Sequence, residues 1–134
     1  MQVQEKASGG RKRIFHVSSR ENIMGLRDEI LRMHGFEVQS TVYSIQALEE
    51  MSRNDYDLVL IDVEADVRVQ SAQDLCDSIK QVHPGQHVAF VCNYRIAIQS
   101  DCPDEIIHAE FNPEALVRGV KDALGTTEED KDRK

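Results

Sequence analysis

One aspartate lies at the end of a short apolar run, where a reactive carboxylate is expected. Residues 57–62 read DLVLID, and the four residues between the two aspartates are all Leu, Val or Ile. An unbroken apolar run of this length is typical of a strand buried on both faces, as in a parallel sheet covered by helices. Open α/β sheets bind and react with ligands at the carboxyl ends of such strands. Asp62 is therefore the first candidate for a functional residue, and its chemistry depends on what the other strand ends bring to it.

The three cysteines, Cys76, Cys92 and Cys102, have no spacing that is typical of a site. Their number is odd and they form no C-x-x-C pair, so the sequence predicts neither a disulfide framework nor a zinc ribbon. This cysteine usage favours a reducing compartment, and we expect a cytoplasmic protein. Cys92 is interpreted as a small, buried, inert thiol rather than as a redox residue.

The five histidines also indicate no metal site. His34, His83, His87 and His108 fall at the ends of unrelated predicted elements. His16 lies in an apolar segment and is interpreted as a packed core or edge histidine. No glycine-rich loop follows this segment, so a flavin or dinucleotide site is not supported.

Alternating apolar patterns predict the elements that position Asp62. Strands are expected at residues 13–17, 36–41, 58–62, 87–92 and 105–109, with helices between them. Residues 93–103 leave room for only one or two helical turns. Strands that alternate with helices in this way predict an α/β fold, a doubly wound three-layer sandwich.

The helix ends carry their own signals. The first helix is expected at residues 22–34, and four apolar residues share the face expected to be buried: Ile23, Leu26, Ile30 and Met33. Ser44 and Ser71 are expected to open the next two helices as capping residues. The last helix is framed by Asn112 as N-cap, Pro113 at its first position and Gly125 just beyond its end.

The length and charge of the chain limit its class. A chain of 134 residues is long enough for one domain with its own core. Residues 13–124 form the predicted domain, and the polar segments 1–12 and 125–134 are predicted to be mobile tails. The formal net charge of −8 argues against nucleic-acid binding, because the field of the chain repels phosphate. No apolar run is long enough to span a membrane.

Four segments of the chain occur with the order and spacing of a known family. They are GFEV at 35–38, DLVLID at 57–62, HP at 83–84 and FNPEAL at 111–116. Together they resemble the receiver domain of two-component response regulators over about residues 13–124. The resemblance implies a five-stranded parallel sheet in the order 2-1-3-4-5, a flavodoxin-like arrangement. It also matches Asp62 to the aspartate that accepts a phosphoryl group.

The receiver family uses four further positions around this aspartate, and the chain departs from all of them. The acidic pair that helps to hold Mg²⁺ is replaced by Ser18 and Ser19, the hydroxyl by Cys92, and the lysine by Ala109. Magnesium prefers charged carboxylate ligands, and serine hydroxyls bring no charge. A thiol is a weak hydrogen-bond donor, and the missing lysine removes a charge-assisted contact to the phosphoryl oxygens. The resemblance therefore predicts a degenerate phosphorylation pocket, with no cofactor or at most weakly bound Mg²⁺.

We expect a stand-alone signalling domain that is not an enzyme and acts through protein–protein contacts. In one hypothesis the domain is an interaction module that works without phosphorylation. In the alternative, it is a functional receiver switched by phosphorylation of Asp62. Both imply a protein partner, a histidine kinase or a downstream signalling protein, and we expect a monomer or weak dimer. Under the first hypothesis, Asp62→Asn is expected to keep the fold and even to stabilise it, by removing a partly buried charge without a partner.

Overall fold

The computed structural model describes residues 11–42, 45–63, 65, 68–92, 96, 98, 101–109 and 112–125. One sheet within this part of the chain consists of β1 (Arg13–Ser18), β2 (Glu37–Val42), β3 (Leu58–Val63), β4 (Val88–Cys92) and β5 (Glu105–His108). All the strand pairs are parallel. The strand order is β2-β1-β3-β4-β5, which confirms the predicted order. Strand β2 lies on one side of β1, and β3, β4 and β5 follow on the other side, so the strand order reverses between β1 and β3. The carboxyl end of β3, which carries Asp62, lies at this point.

Helices cover both faces of the sheet. Those described are α1 (Glu21–Met33), α2 (Ile45–Arg53), α3 (Val69–Val82) and α4 (Pro113–Leu124). One face packs against Leu31 of α1 and Leu116 of α4, and the other against Met51 of α2 and Ile79 of α3. The predicted three-layer α/β sandwich is therefore confirmed. None of the described helices is long and apolar enough to cross a membrane.

The buried face of α1 differs from the predicted one. Leu26 is 59% exposed and Met33 is 73% exposed, whereas Arg27, Asp28 and Leu31 are buried. The apolar residues favoured the stripe through Leu26, but positions 27, 28 and 31 also share one face of a helix. The helix is rotated towards this second face, which brings two charged side chains into the interior.

The signals at the ends of α4 are confirmed. The side-chain oxygen of Asn112 accepts hydrogen bonds from the backbone N–H groups of Glu114 at 2.9 Å and Ala115 at 3.1 Å. Pro113 opens the helix, and Gly125 closes it with a φ of 76°, in the left-handed region that favours glycine. Sequence patterns at these ends are reliable because capping is a local interaction.

Other boundary predictions have different outcomes. Helix α3 begins at Val69, so Ser71 lies inside the helix, and the N-cap position holds Arg68 without a side-chain cap. Ser44 and residues 1–10 and 126–134 lie outside the described residues. Most of the segment 93–103 lies outside them too, and the described residues 96, 98 and 101–103 are not helical.

A disulfide joins Cys76 of α3 to Cys102, which lies shortly before β5. The prediction that the chain lacks disulfides is therefore wrong. The two residues are 26 positions apart and meet because α3 packs on the sheet face formed by β3 and β4, against which Cys102 also packs. Spacing along the chain does not reveal such a pairing. Cys92 is a free thiol and is buried, as predicted.

Gly119 allows α4 to approach β5 closely. A Cβ atom at this position would lie 2.5 Å from Cγ2 and 2.9 Å from Cγ1 of Ile107. We therefore expect Gly119→Ala to lower the free energy of unfolding by about 1–3 kcal/mol, because α4 or Ile107 must move. The matched control is Gly25→Ala in α1, where an added Cβ meets nothing within 4 Å. The control should gain about 0.4–1 kcal/mol in urea unfolding, and equal stability of the two variants would contradict the prediction.

Candidate functional site

The carboxyl ends of the central strands bring several of the predicted site residues together. Ser18 ends β1, Asp62 is the next-to-last residue of β3, and Cys92 ends β4. Parallel pairing places Val17 beside Ile61 and Val63 beside Cys92, so the three residues lie at the same end of the sheet. The Cys92 side chain points to the face opposite to that of Asp62, since it packs with Val63 while Asp62 alternates with it. Asp62 is fully buried there, with no exposed surface.

Two cationic side chains lie against the Asp62 carboxylate. Nε2 of His16 is 2.9 Å from Oδ2 of Asp62, and Nη1 of Arg27 is 2.8 Å from Oδ1. Each carboxylate oxygen therefore has its own cationic neighbour. Ser18 also helps to hold the pKa of the Asp62 carboxyl below its ordinary value. Asp62 is thus a paired charge inside the protein, not the unpartnered carboxylate expected from the sequence.

A second carboxylate completes the cluster on the other side of the histidine ring. Nδ1 of His16 lies 2.7 Å from Oδ1 of Asp28, and both side chains are buried. An imidazole donates from both nitrogens only when it is protonated, and this geometry offers an acceptor to each nitrogen. Two carboxylates (Asp28 and Asp62) therefore face two cations (His16 and Arg27), and the buried charges balance. We call these four residues the ion cluster.

The fold explains why these residues meet. His16 of β1 and Asp62 of β3 lie on the same face of the sheet as Ile14 and Leu60, since side chains alternate along a strand. Helix α1 covers this face, and its rotation turns Arg27 and Asp28 towards the two strands. Consecutive positions on a helix point about 100° apart. Arg27 can therefore contact Asp62 while Asp28 contacts the other side of His16.

Electrostatics within the ion cluster favour the charged forms. Burial lowers the pKa of His16, but the charge of Asp62 and the contacts with Asp28 outweigh it, and the pKa rises from 6.5 to about 9. Burial raises the pKa of Asp62, but His16 and Arg27 outweigh this effect, and the pKa lies below its ordinary value. The shifts agree with the geometry, since each charge is stabilised by an opposite charge in contact with it.

The remaining predicted pocket positions supply little chemistry. Cys92 is 2% exposed, and burial raises the pKa of its thiol to about 11. Its sulfur lies 3.7 Å from Nδ1 of His108. Ala109 is buried, and its backbone N–H donates to the carbonyl of Cys92 at 3.1 Å. Ser19 follows β1 in a bend and is partly exposed. No lysine stands at the strand ends described here.

The site does not fit a magnesium ion. Both oxygens of Asp62 already face cations, and the neighbouring positions 18 and 19 carry hydroxyls rather than carboxylates. Among the described residues no group of three or more His, Cys, Asp or Glu side chains is placed to hold a metal. A guanidinium and an imidazolium stand beside the carboxylate where the family has a divalent cation. The charge of the Asp62 carboxylate is therefore balanced by side chains of the protein itself.

The sequence revealed Asp62 but not its partners. His16 was interpreted as a core histidine, which is correct for its burial and misses its two ion pairs. Arg27 and Asp28 gave no signal as single residues, because charged side chains on a helix are usually exposed. Their burial could have been inferred from their helical spacing to Leu31, because this spacing places all three residues on the same face of the helix.

Solved receiver structures are similar to this chain. The response regulator TrrA of Thermotoga maritima, in complex with Mg²⁺-BeF, matches with a TM-score of 0.71 and 27% identity, covering 84% of this chain and 98% of that chain. A CheY-like receiver domain protein of Methanospirillum hungatei matches with a TM-score of 0.69 and 22% identity, covering 90% and 99%. TrrA in complex with the histidine kinase ThkA matches with a TM-score of 0.67 and 26% identity, covering 84% and 98%.

The amino-acid sequence alone does not match a known family. No protein-family model matches the chain, and no curated protein matches it. The assignment therefore depends on the structural matches together with the strand order and the position of Asp62 at the carboxyl end of β3. On these grounds the chain has the fold of the response-regulator receiver domains.

Proposed function

We propose that this receiver-like domain is a signalling module that acts by protein–protein contact and does not depend on phosphorylation. The observation that carries the proposal is the pairing of Asp62, whose two oxygens lie 2.9 Å from His16 and 2.8 Å from Arg27 in a fully buried position. For phosphorylation, a carboxylate oxygen must reach the phosphorus of the donor in line with its leaving group, and here the carboxylate is fully buried and each oxygen is in contact with a cation. We also propose that the domain has no enzymatic activity of its own and that it is cytoplasmic, although the disulfide between Cys76 and Cys102 removes the support that cysteine usage gave to this location.

The proposed partner is a histidine kinase or a downstream signalling protein. One of the similar structures is a response regulator in complex with a histidine kinase, at 26% identity to this chain. The acidic balance of the chain, with a net charge of −8, supports a protein partner over nucleic acid. We propose that the domain itself is a monomer or a weak dimer.

The alternative function is that of a phosphoacceptor receiver. It is favoured by one observation, the retention of an aspartate at the carboxyl end of β3. In that case Arg27 would have to leave the carboxylate, and a buried ion pair would break at a cost of about 3–5 kcal/mol. A phosphoryl donor would have to supply this free energy.

Intact-mass measurement after treatment with acetyl phosphate and Mg²⁺ distinguishes the two functions. We expect no added phosphoryl group on the chain, while a receiver domain that accepts phosphate gains one under the same conditions. The second arm uses Arg27→Gln, which removes the guanidinium from Oδ1 of Asp62 and keeps a shorter, uncharged polar side chain. A phosphoryl group on Asp62 of the unaltered protein would overturn the proposal and establish the alternative.

Magnesium binding is expected to be weak. Millimolar Mg²⁺ should leave the melting temperature unchanged, because the serines bring no charge and Arg27 repels a divalent cation. The comparison variant carries Ser18→Asp, Ser19→Asp and Arg27→Gln together, which restores carboxylates and removes the guanidinium. This variant should bind Mg²⁺ measurably in isothermal titration. Sub-millimolar binding by the unaltered protein, lost in Asp62→Asn, would contradict the prediction.

A further inference from the structure

Two contacts attach helix α3 to the segment that leads into β5. Cys76 forms the disulfide with Cys102, and Nζ of Lys80 lies 2.7 Å from Oδ2 of Asp104. Cys76 and Lys80 are four residues apart and therefore share one face of the helix. The covalent and the ionic contact thus hold neighbouring residues of the same segment against the same helix face.

Asp104 connects the segment held by α3 to strand β4 through two hydrogen bonds with the backbone of Val88. Its carboxylate accepts a hydrogen bond from the backbone N–H of Val88 at 2.9 Å, and its own N–H donates to the carbonyl of Val88 at 2.7 Å. Strand β5 begins at the next residue, Glu105, and pairs only with β4 in the described sheet. The segment held by α3 therefore sets the start of an edge strand.

The three cysteines differ in their access to reagents. Cys76 has no exposed surface, while Cys102 is partly exposed and packs at the border of the core cluster that contains Cys76 and Cys92. Cys92 is 2% exposed, and burial raises the pKa of its thiol to about 11, so little reactive thiolate forms there at neutral pH. Of the two disulfide-bonded residues, Cys102 is therefore the one that an external thiolate can approach.

We propose that the Cys76–Cys102 pair is a reversible thiol–disulfide site, reduced by a protein dithiol, and that its redox state controls how firmly β5 is held at the edge of the sheet. A thiolate of the reductant attacks Sγ of Cys102 and forms a mixed disulfide, and the sulfur of Cys76 leaves as a thiolate that takes up a proton. The second thiol of the reductant then attacks the mixed disulfide, forms the oxidised reductant and releases Cys102 as a thiol. Two electrons and two protons pass from the dithiol to the pair. This inference does not rest on the proposed function.

Counting thiols tests the redox site. The protein purified without reductant is denatured, alkylated with iodoacetamide and weighed, and we expect one adduct, on Cys92. After incubation of the folded protein with dithiothreitol we expect three, since the chain has three cysteines, and oxidised dithiothreitol should restore one. Cys92→Ser is the control, and it should carry no adduct when oxidised and two adducts after reduction. Three adducts without reductant, or one adduct after reduction of the folded protein, would overturn the proposal.

Amide hydrogen exchange tests the effect on β5. Reduction should make the amides of residues 105–108 exchange about tenfold faster, while those of β1 and β3 keep their rates. The variant with Cys76→Ser and Cys102→Ser should show the fast rates with and without dithiothreitol. If the oxidised and reduced proteins exchange equally in β5, the control of the edge strand is disproved even where the thiol count changes.

Discussion

Replacing Asp62 by asparagine is expected to lower the free energy of unfolding by about 3–5 kcal/mol near neutral pH. The substitution removes the carboxylate that lies 2.8 Å from the Arg27 guanidinium, a side chain that is 8% exposed. A guanidinium stays charged at any pH the protein tolerates, so it cannot escape the loss by giving up a proton. The amide offers one neutral acceptor in place of two charged ones. The sequence predicts the opposite, that asparagine stabilises the domain, because nothing in the sequence indicates that Arg27 contacts Asp62.

Urea unfolding at fixed pH measures this effect. The matched control is Asp77→Asn, the same change at an exposed position of α3, which should stay within about 0.5 kcal/mol of the unaltered protein. If Asp62→Asn is as stable as this control, the ion cluster does not stabilise the fold and the pairing described here is wrong.

A double-variant cycle separates the ion pair from the packing around it. Arg27→Met keeps a long apolar side chain without the charge, and Asp62→Leu removes the carboxylate. Combined, the two changes should cost less than the sum of the single ones, because each single change leaves one charge of the pair without its partner and the double variant removes both charges. Additive losses would show that Arg27 and Asp62 do not stabilise each other.

The sheet could be predicted from the sequence because its signals are local. The apolar run before Asp62 marks a strand buried on both faces, and Asn112 with Pro113 marks the beginning of α4 by its capping chemistry. Each of these patterns requires only a few neighbouring residues. The strand order came from the resemblance and not from any residue pattern, and the structure confirms it.

The ion cluster could not be predicted because its members come from three elements that meet only in the folded chain. Helix α1 carries two stripes that are compatible with a buried face, one through Leu26 and one through Leu31. Which stripe faces the sheet depends on the side chains that the sheet presents to the helix, and these include His16 and Asp62. Two buried charges on the strands are stabilised when the helix presents Arg27 and Asp28, so the polar stripe faces inward although the other one is more apolar.

The same reasoning connects the cluster with the function. A divalent cation beside a carboxylate can dissociate and exchange with the solvent. A guanidinium on α1 is part of the chain and does not dissociate, so Asp62 keeps its partner in every copy of the folded protein. A domain built in this way holds a single state of the pocket. We therefore expect its partner surface to be presented constantly, with regulation at another place, such as the Cys76–Cys102 pair.

Stability is expected to fall as the pH rises from 6.5 to 9, by about 3 kcal/mol in total. The pKa of His16 is about 9 in the folded protein against 6.5 as the ordinary value. A group whose pKa is raised on folding contributes its full stabilisation below the unfolded pKa and loses it as the pH passes through the folded one. Asp62 has the opposite sign: its pKa is lowered, so its contribution is present above pH 3.8 and is lost as the pH falls through its folded value. Between these limits both groups stabilise the fold.

The measurement is urea unfolding at pH 6.5 and at pH 9, with the His16 ring followed by NMR in the same samples. His16→Gln should be less stable at pH 6.5 and should lose little between the two values, because the titrating group is absent. His34→Gln, at an exposed position at the end of α1, is the control and should lose as much as the unaltered protein. The Cys92 thiol does not account for the loss, since its ordinary pKa of 9.0 and its folded pKa of about 11 place its effect above this window. Constant stability across the window, or a His16 ring that titrates near its ordinary pKa, would show that the ring is not held between two carboxylates.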